Sequence, residues 1–175
     1  MESRQIIEQA SKFAIGFDAR DRKELFKMWE SILDTNQWSE GIYNKAFEET
    51  WSQWNDAQSL AFSGWTGAAL AILDHIDVAG SNVLCPSNTF MATPLATLKA
   101  GGNVKFVDCN RNDLCMSFDD FREKAEFYKP KAAWIVHIGG HIAFEIEKIS
   151  DYCKQNDIFL IEDCAHSHGA EWNGK

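Results

Sequence analysis

The residues best suited to chemistry lie in the segment IEDCAHSHGA, residues 161–170, where two adjacent acids end an apolar run. A carboxylate at the end of a buried strand is costly unless it is paired or hydrogen bonded, so Asp163 is the strongest single candidate for a functional residue. His166 and His168 alternate with small residues after it. A metal site of these residues with Cys164 and His137 is an alternative. We predict no metal, because adjacent ligands would face different ways.

A second candidate is the segment SGWTGAA, residues 63–69, which follows an apolar run and opens a helical pattern. Its two glycines allow close approach of the backbone to a ligand, and the free N–H groups of a helix start suit a phosphate. A capping Ser or Thr with a glycine turn explains the segment equally well. It is not a GxGxxG motif, which makes a nicotinamide-dependent enzyme a poor alternative.

Two further segments, PSNTFMAT (86–93) and VHIGGH (136–141), also follow apolar runs. Phe90 is either a ring that stacks on a planar ligand or a core residue at the start of a helix. His137, followed by two glycines, indicates a closely packed pocket wall. A single histidine at such a place is more often a hydrogen-bonded structural residue than a catalyst.

These segments must be positioned by the elements that precede them. Short apolar runs predict strands at 59–63, 82–86, 103–108, 132–138 and 158–163. Helical patterns alternate with them at 66–76, 91–99, 118–127 and 144–155. This alternation predicts an α/β fold, a three-layer α/β/α arrangement around a mainly parallel sheet. Ligands of such sheets bind at the carboxyl ends of the strands, where the four candidate segments lie.

The N-terminal part of the chain has a different pattern. Apolar residues spaced by three and four predict amphipathic helices at 21–33 and 43–54, the first capped by Asp21 with Glu24. We interpret the Trp-rich face of these helices as core packing or an oligomer contact. The predicted domains are a helical segment, residues 1–56, and an α/β domain, residues 57–175.

Composition narrows the function classes. The 175 residues are 45% hydrophobic and 25% charged, with a net charge of −9, which is typical of a globular domain. This balance offers no electrostatic reason to expect nucleic-acid or anionic-membrane binding. No apolar run is long enough for a signal peptide or a membrane span, so we predict a cytoplasmic protein. Five cysteines without a CxxC motif indicate reduced, mostly structural thiols.

Taken in order, SGWTGAA, PSNTFMAT, AGGNVKFVDC, WIVHIGGH and IEDCAHSHGAEWNGK resemble the DegT-type nucleotide-sugar aminotransferases. Those are pyridoxal-phosphate (PLP) enzymes of fold type I. The resemblance runs from residue 38 to 175, and EDCAHSHGA is its most specific element. It implies an incomplete fold type I large domain, PLP as cofactor, and transfer of an amino group from glutamate to a nucleotide-linked keto sugar. It also implies a homodimer with composite active sites.

The resemblance assigns the PLP phosphate to the start of the helix after residue 63. The family holds that phosphate with a Gly-Thr pair. Depending on the alignment, the pair falls on Thr66 and Gly67 in reverse order, or on Gly64 and Trp65. A contact by a side-chain hydroxyl is therefore not implied, whereas contacts by the backbone N–H groups are.

The resemblance also assigns the groups around the pyridine ring. Phe90 falls where an aromatic ring stacks on the pyridine, and Asp163 falls where a carboxylate pairs with the pyridinium nitrogen. His166 stands near the phenolic oxygen, where the family often has Gln. His168 matches a His-Gly pair that is interpreted as structural.

The family's Schiff-base lysine follows the Asp-containing motif by about one further strand and loop. No residue of this chain matches it, and Lys175 aligns with an ordinary surface residue, so we predict no catalytic residue here and no turnover by the chain alone. In the family's sheet the first strand pairs with a later one, so the run at 59–63 would lack a neighbour. The expectation is a fragment of a longer product; a second polypeptide or a rearranged sheet are the alternatives.

Two other classes of function stay open on the sequence. Some relatives carry His in place of the lysine and act as dehydratases, so a sugar dehydratase or a non-catalytic PLP- or nucleotide-binding module is possible. A structural partner that lends its acidic, Trp-rich surface to a complex is the third. Binding of PLP by the folded chain separates the first two classes from the third.

Overall fold

The computed structural model describes residues 16–174. The described chain divides into two compact units between Ala61 and Phe62. The domain boundary after residue 56 stays a prediction. Residues 1–15 of the predicted N-terminal segment, and Lys175, lie outside the described range.

The first unit contains two helices, α1 (Ala19–Thr35) and α2 (Ile42–Asn55). Both were expected from the spacing of apolar residues, but the predicted start of α1 is wrong. Asp18 is the N-cap, and its carboxylate accepts the N–H groups of Arg20 and Asp21. The Asp21 carboxylate in turn accepts the Asp18 N–H, which completes a capping box three residues earlier than predicted.

The aromatic residues of the first unit do not form a buried core. Neither α1 nor α2 contains a buried residue. The rings of Phe47, Trp51 and Trp54 instead contact one another along α2, with centroids 5.8 Å and 4.9 Å apart. Core packing is therefore the wrong interpretation of this face within the described unit, and an oligomer contact stays a prediction.

The predicted strand at 59–63 does not form. The backbone N–H of Ser59 donates to Ser52 Oγ, and that of Ala61 donates to a carboxylate oxygen of Glu48. Side chains of α2 thus accept backbone N–H groups that a strand would donate to a neighbouring strand. The apolar side chains of Leu60 and Phe62 are 78% and 48% exposed.

The second unit is an α/β domain with a four-stranded parallel sheet of order β2-β1-β3-β4. Its strands are β1 (Asn82–Pro86), β2 (Asn103–Val107), β3 (Ala132–Val136) and β4 (Phe159–Asp163). Its helices are α3 (Trp65–Ile76), α4 (Ala92–Lys99), α5 (Phe118–Tyr128) and α6 (Ile146–Gln155). A 3₁₀ turn, Ile138–Gly140, follows β3. These elements confirm the predicted fold class and the other four predicted strands.

Side chains of the sheet alternate between two cores, which makes the domain three-layered. Val83, Trp134 and Ile161 pack with α3 and α4 on one face. Leu84 and Ile135 pack with α5 and α6 on the other. Since successive strand residues point to opposite faces, Asp163 belongs to the α3 face and Glu162 to the α6 face.

Among the described residues, no helix is long and apolar enough to cross a membrane.

Candidate functional site

An open cleft of about 350 Å³ lies between α3 and the carboxyl ends of β3 and β4. Its walls are mostly apolar, and its polar groups lie at the end of β4. The lining residues are Trp65, Ala68, Ala69, Ile72, Trp134, Ile161, Glu162, Asp163, Cys164, Ala165 and His168. Of the six predicted site residues, Trp65 and Asp163 therefore share this cleft.

Asp163 is the most buried acid of the cleft, with 8% of its surface exposed. Its Oδ1 accepts the Ala165 N–H over 3.1 Å. Within residues 16–174, its second carboxylate oxygen accepts no hydrogen bond and no cationic side chain pairs with it. A buried carboxylate in an apolar wall is stabilised by a cationic donor, so this oxygen fits a protonated ring nitrogen.

Two tryptophans form an aromatic wall of the cleft. The ring centroids of Trp65 and Trp134 lie 5.5 Å apart, and their planes are inclined by 33°. A hydrogen bond fixes the Trp134 ring, because its Nε1–H donates to Thr97 Oγ1 over 3.0 Å. Trp134 was not among the predicted site residues. The alternation within β3, which places residue 134 on the face of Asp163, is the signal that identifies it.

The start of α3 leaves backbone donors free. Gly67 and Ala68 N–H groups donate to the Gly64 carbonyl, whereas those of Trp65 and Thr66 have no acceptor within the described chain. Thr66 and Gly67 are exposed and do not line the cleft. The backbone here fits an anion such as a phosphate, and the expected contact of these N–H groups with the PLP phosphate stays a prediction.

Phe90 and His166 lie outside the cleft lining. Phe90 follows β1 and is 78% exposed, so it is not the core residue of the alternative interpretation. His166 is exposed, and its Nδ1 accepts the Gly139 N–H over 3.4 Å. Their proposed contacts with a cofactor ring stay predictions.

His137 lies behind the cleft and is fully buried. Its Nε2 is 3.0 Å from Glu162 Oε2, and its Nδ1 accepts the Ala143 N–H over 3.1 Å. Burial acts to lower the pKa of His137, but hydrogen bonds with Cys164 and Glu162 outweigh it and raise that pKa to about 9. This is the hydrogen-bonded structural histidine that the sequence favours.

The turn after His137 packs tightly against the loop that carries His166. Gly140 has φ +91°, and a Cβ added to it would lie 3.1 Å from the His166 carbonyl oxygen. We expect Gly140→Ala to lower the free energy of unfolding by about 1–2 kcal/mol from backbone strain, with a further loss from this contact. Gly80→Ala is the matched control, since Gly80 has φ +73° and a Cβ added to it would meet no atom within 4 Å. Urea unfolding measures both, and an equal loss for the two variants contradicts the close packing.

Two groups of three potential metal ligands occur in the described part of the chain: His137, Glu162 and Cys164, and Asp113, Cys115 and His141. Neither is the predicted alternative set around Asp163. In the second group both carboxylate oxygens of Asp113 already accept backbone N–H groups. In the first, His137 uses both ring nitrogens in hydrogen bonds. In each group, one potential ligand is therefore already engaged in hydrogen bonds within the chain.

All five cysteines are free thiols. Burial raises the pKa of Cys85 and Cys153 to about 12 and, as the largest cause, that of Cys115 to about 11. A thiol with such a pKa is not a nucleophile at neutral pH. Three of the five cysteines therefore act as small core residues.

Comparison with known proteins identifies relatives of the chain. The family model described as "DegT/DnrJ/EryC1/StrS aminotransferase family" matches residues 19–175. GDP-perosamine synthase of Escherichia coli O157:H7 is 32% identical over 139 residues, which are 78% of this chain and 38% of that protein. The dTDP-3-amino-3,6-dideoxy-alpha-D-galactopyranose transaminase of Aneurinibacillus thermoaerophilus is 28% identical, covering 89% of this chain and 43% of that protein. The chain thus spans less than half the length of these relatives.

A solved structure supports the fold. The E. coli GDP-4-keto-6-deoxy-D-mannose-3-dehydratase with bound hydrated PLP superimposes with a TM-score of 0.81 at 23% identity. The match covers 93% of this chain and 42% of that one. At this identity the comparison establishes the fold type I architecture, with the sheet and flanking helices described above.

Proposed function

Because the chain belongs to the DegT/DnrJ/EryC1/StrS aminotransferase family, whose cofactor is PLP, we propose that its cleft is the PLP site of a sugar aminotransferase. The observation that carries the proposal is the buried residue Asp163 at the end of an apolar cleft, whose second carboxylate oxygen accepts no hydrogen bond from residues 16–174. A carboxylate in such surroundings favours a protonated ring nitrogen.

Each group of the site has a defined task in this proposal. The free N–H groups of Trp65 and Thr66 bind the phosphate, since the start of α3 carries partial positive charge. The Asp163 carboxylate accepts a hydrogen bond from the protonated ring nitrogen and keeps the proton on that nitrogen. Bound PLP supplies an electron sink for bonds broken at the amine carbon. Phe90 stacks on the ring, and the His166 imidazole donates to its phenolic oxygen.

The covalent partner of the cofactor is a separate matter. None of the lysines within residues 16–174 lines the cleft. We propose that the lysine that binds the cofactor covalently is none of the lysines of this chain and that the chain alone binds PLP without turnover. The whole protein is proposed to be a cytoplasmic homodimer that transfers an amino group, with glutamate as donor, to a keto sugar linked to a nucleotide. The relatives' names and the resemblance of the motifs support this substrate class.

Titration of the chain with PLP tests the cofactor site. Trp65 and Trp134 line the cleft, so saturable quenching of tryptophan fluorescence is expected. Pyridoxal, which lacks the phosphate, is expected to bind at least tenfold more weakly, because it forfeits charge-assisted hydrogen bonds of about 1.5–3 kcal/mol each. Absence of saturable binding by chain with a folded circular dichroism spectrum would overturn the proposal.

A PLP-dependent dehydratase is the second candidate, because a dehydratase of 23% identity shares this fold over 93% of the chain. Both candidates need the Asp163 contact, so PLP binding does not separate them. Product analysis of the whole protein with a nucleotide-linked keto sugar does. An amino sugar supports the aminotransferase, and loss of a hydroxyl group supports the dehydratase.

A further inference from the structure

We propose that His137 is a positioning residue that holds Asp163 in line with the ring nitrogen of PLP, an inference that rests on the proposed function. His137 is fully buried and does not line the cleft. It therefore acts through other residues. Its ring and backbone connect three segments: the end of β4, the turn after β3, and the loop that carries His166.

The first connection is to β4. The His137 N–H donates to the Asp163 carbonyl over 3.2 Å, one residue beyond the last register pair, Val136 with Asp163. The ring Nε2 lies 3.0 Å from Oε2 of Glu162, the residue before Asp163 in β4. Two bonds from one residue thus hold successive residues of β4, and the direction of the Asp163 side chain depends on the backbone between them.

The second connection is to the glycine turn. The Ala143 N–H donates to Nδ1 of His137 over 3.1 Å and closes the segment 138–143 against the ring. This segment contains Gly139, whose N–H donates to His166, and Gly140, which approaches the His166 carbonyl. The same imidazole therefore orders the proposed contacts of the ring nitrogen and of the phenolic oxygen.

The hydrogen-bond pattern defines the state of the ring. Because Nδ1 accepts an N–H group in the neutral ring, the proton is on Nε2, which donates to Glu162. The contacts that raise the pKa of His137 favour a second proton on Nδ1, which would displace the Ala143 N–H, whereas the Nε2 donor to Glu162 is present in both states. The same pattern argues against a metal at Nε2, since a ligating nitrogen cannot also carry the donated proton. His137 is thus a fixed donor rather than a base or a ligand.

Two substitutions separate the functions of the two ring nitrogens. His137→Asn keeps an acceptor near Nδ1 for Ala143 but loses the donor to Glu162. His137→Gln keeps a donor near Nε2. His75→Asn on the exposed end of α3 is the matched control. Glu162→Ala removes the acceptor from a half-exposed side chain and does not depend on replacing a buried residue.

The readouts are the affinity of the chain for PLP and the ¹⁵N chemical shift of PLP labelled at the ring nitrogen, which reports protonation of that nitrogen. We expect His137→Asn and Glu162→Ala to weaken binding by about tenfold and to shift the resonance toward the unprotonated form. His137→Gln and His75→Asn are expected to retain the protonated resonance. A purely structural role would lower the thermal midpoint without moving the resonance of the folded fraction.

The outcomes distinguish this inference from the proposed function. If the unmodified chain does not bind PLP, both are overturned. If it binds PLP with a protonated ring nitrogen, and His137→Asn and Glu162→Ala leave the resonance unchanged, the positioning role alone is overturned. If His137→Asn does not fold, the Glu162→Ala result decides, because that variant breaks the same hydrogen bond.

Discussion

Asp163→Asn is expected to weaken PLP binding by roughly 10- to 100-fold, since a hydrogen bond to a charged group contributes about 1.5–3 kcal/mol. The amide keeps the shape of the side chain but cannot pair as an anion with a protonated ring nitrogen. The ¹⁵N resonance of the ring is expected to move toward the unprotonated form. Asp151→Asn, on the exposed side of α6, is the control for loss of one negative charge.

Asp163→Asn is expected to weaken PLP binding but not to lower the stability of the chain without cofactor. Asp163 is buried and lacks a cationic partner in the described chain, so its charge is a cost when no ligand is bound. Without PLP, the free energy of unfolding of Asp163→Asn is therefore expected to equal or exceed that of the unmodified chain. A variant that unfolds more easily without PLP and binds PLP normally would show that Asp163 is structural.

Local patterns in the sequence predict much of the domain. The buried run 82–86 is flanked by turn residues, and β1 forms over those five residues. Asp163 is identifiable as an acid that ends a buried strand, and the structure places it in the cleft. In both cases the deciding information lies within ten residues of the chain.

The run at 59–63 shows the limit of such patterns. It has the apolar composition of a strand, but a strand forms only where a neighbour accepts its hydrogen bonds. In this chain Ser52 and Glu48, from the preceding helix, accept N–H groups of the run. The five residues themselves do not determine whether a strand or a helix supplies the acceptors for their N–H groups.

The network around His137 was also beyond local patterns. Its partner Glu162 lies 25 residues further along the chain, and the pair meets only because β3 and β4 are neighbours in a particular register. A shift of that register by one residue would move Glu162 to the other face. The sequence therefore indicates a structural histidine without indicating what it holds.

Phe121→Ala is expected to lower the free energy of unfolding by about 3–5 kcal/mol, because it leaves a cavity in the core on the α5 and α6 face. Phe121 is fully buried, and its ring centroid lies 5.7 Å from that of Tyr152 and 6.4 Å from that of Phe118. Phe127→Ala on the same helix is the control, since Phe127 is 77% exposed. Urea unfolding followed by circular dichroism measures both changes.

The location of Phe121 makes this prediction informative about the cleft. The α5 and α6 core lies on the face of the sheet opposite to Trp65 and Trp134. The folded fraction of Phe121→Ala is therefore expected to bind PLP with unchanged affinity. The expected loss of about 3–5 kcal/mol in the free energy of unfolding is nevertheless large, because a typical domain is stable by only about 5–15 kcal/mol. An equal loss for Phe127→Ala would contradict the packing of α5. Weakened binding by folded Phe121→Ala would show that the two faces of the sheet are coupled.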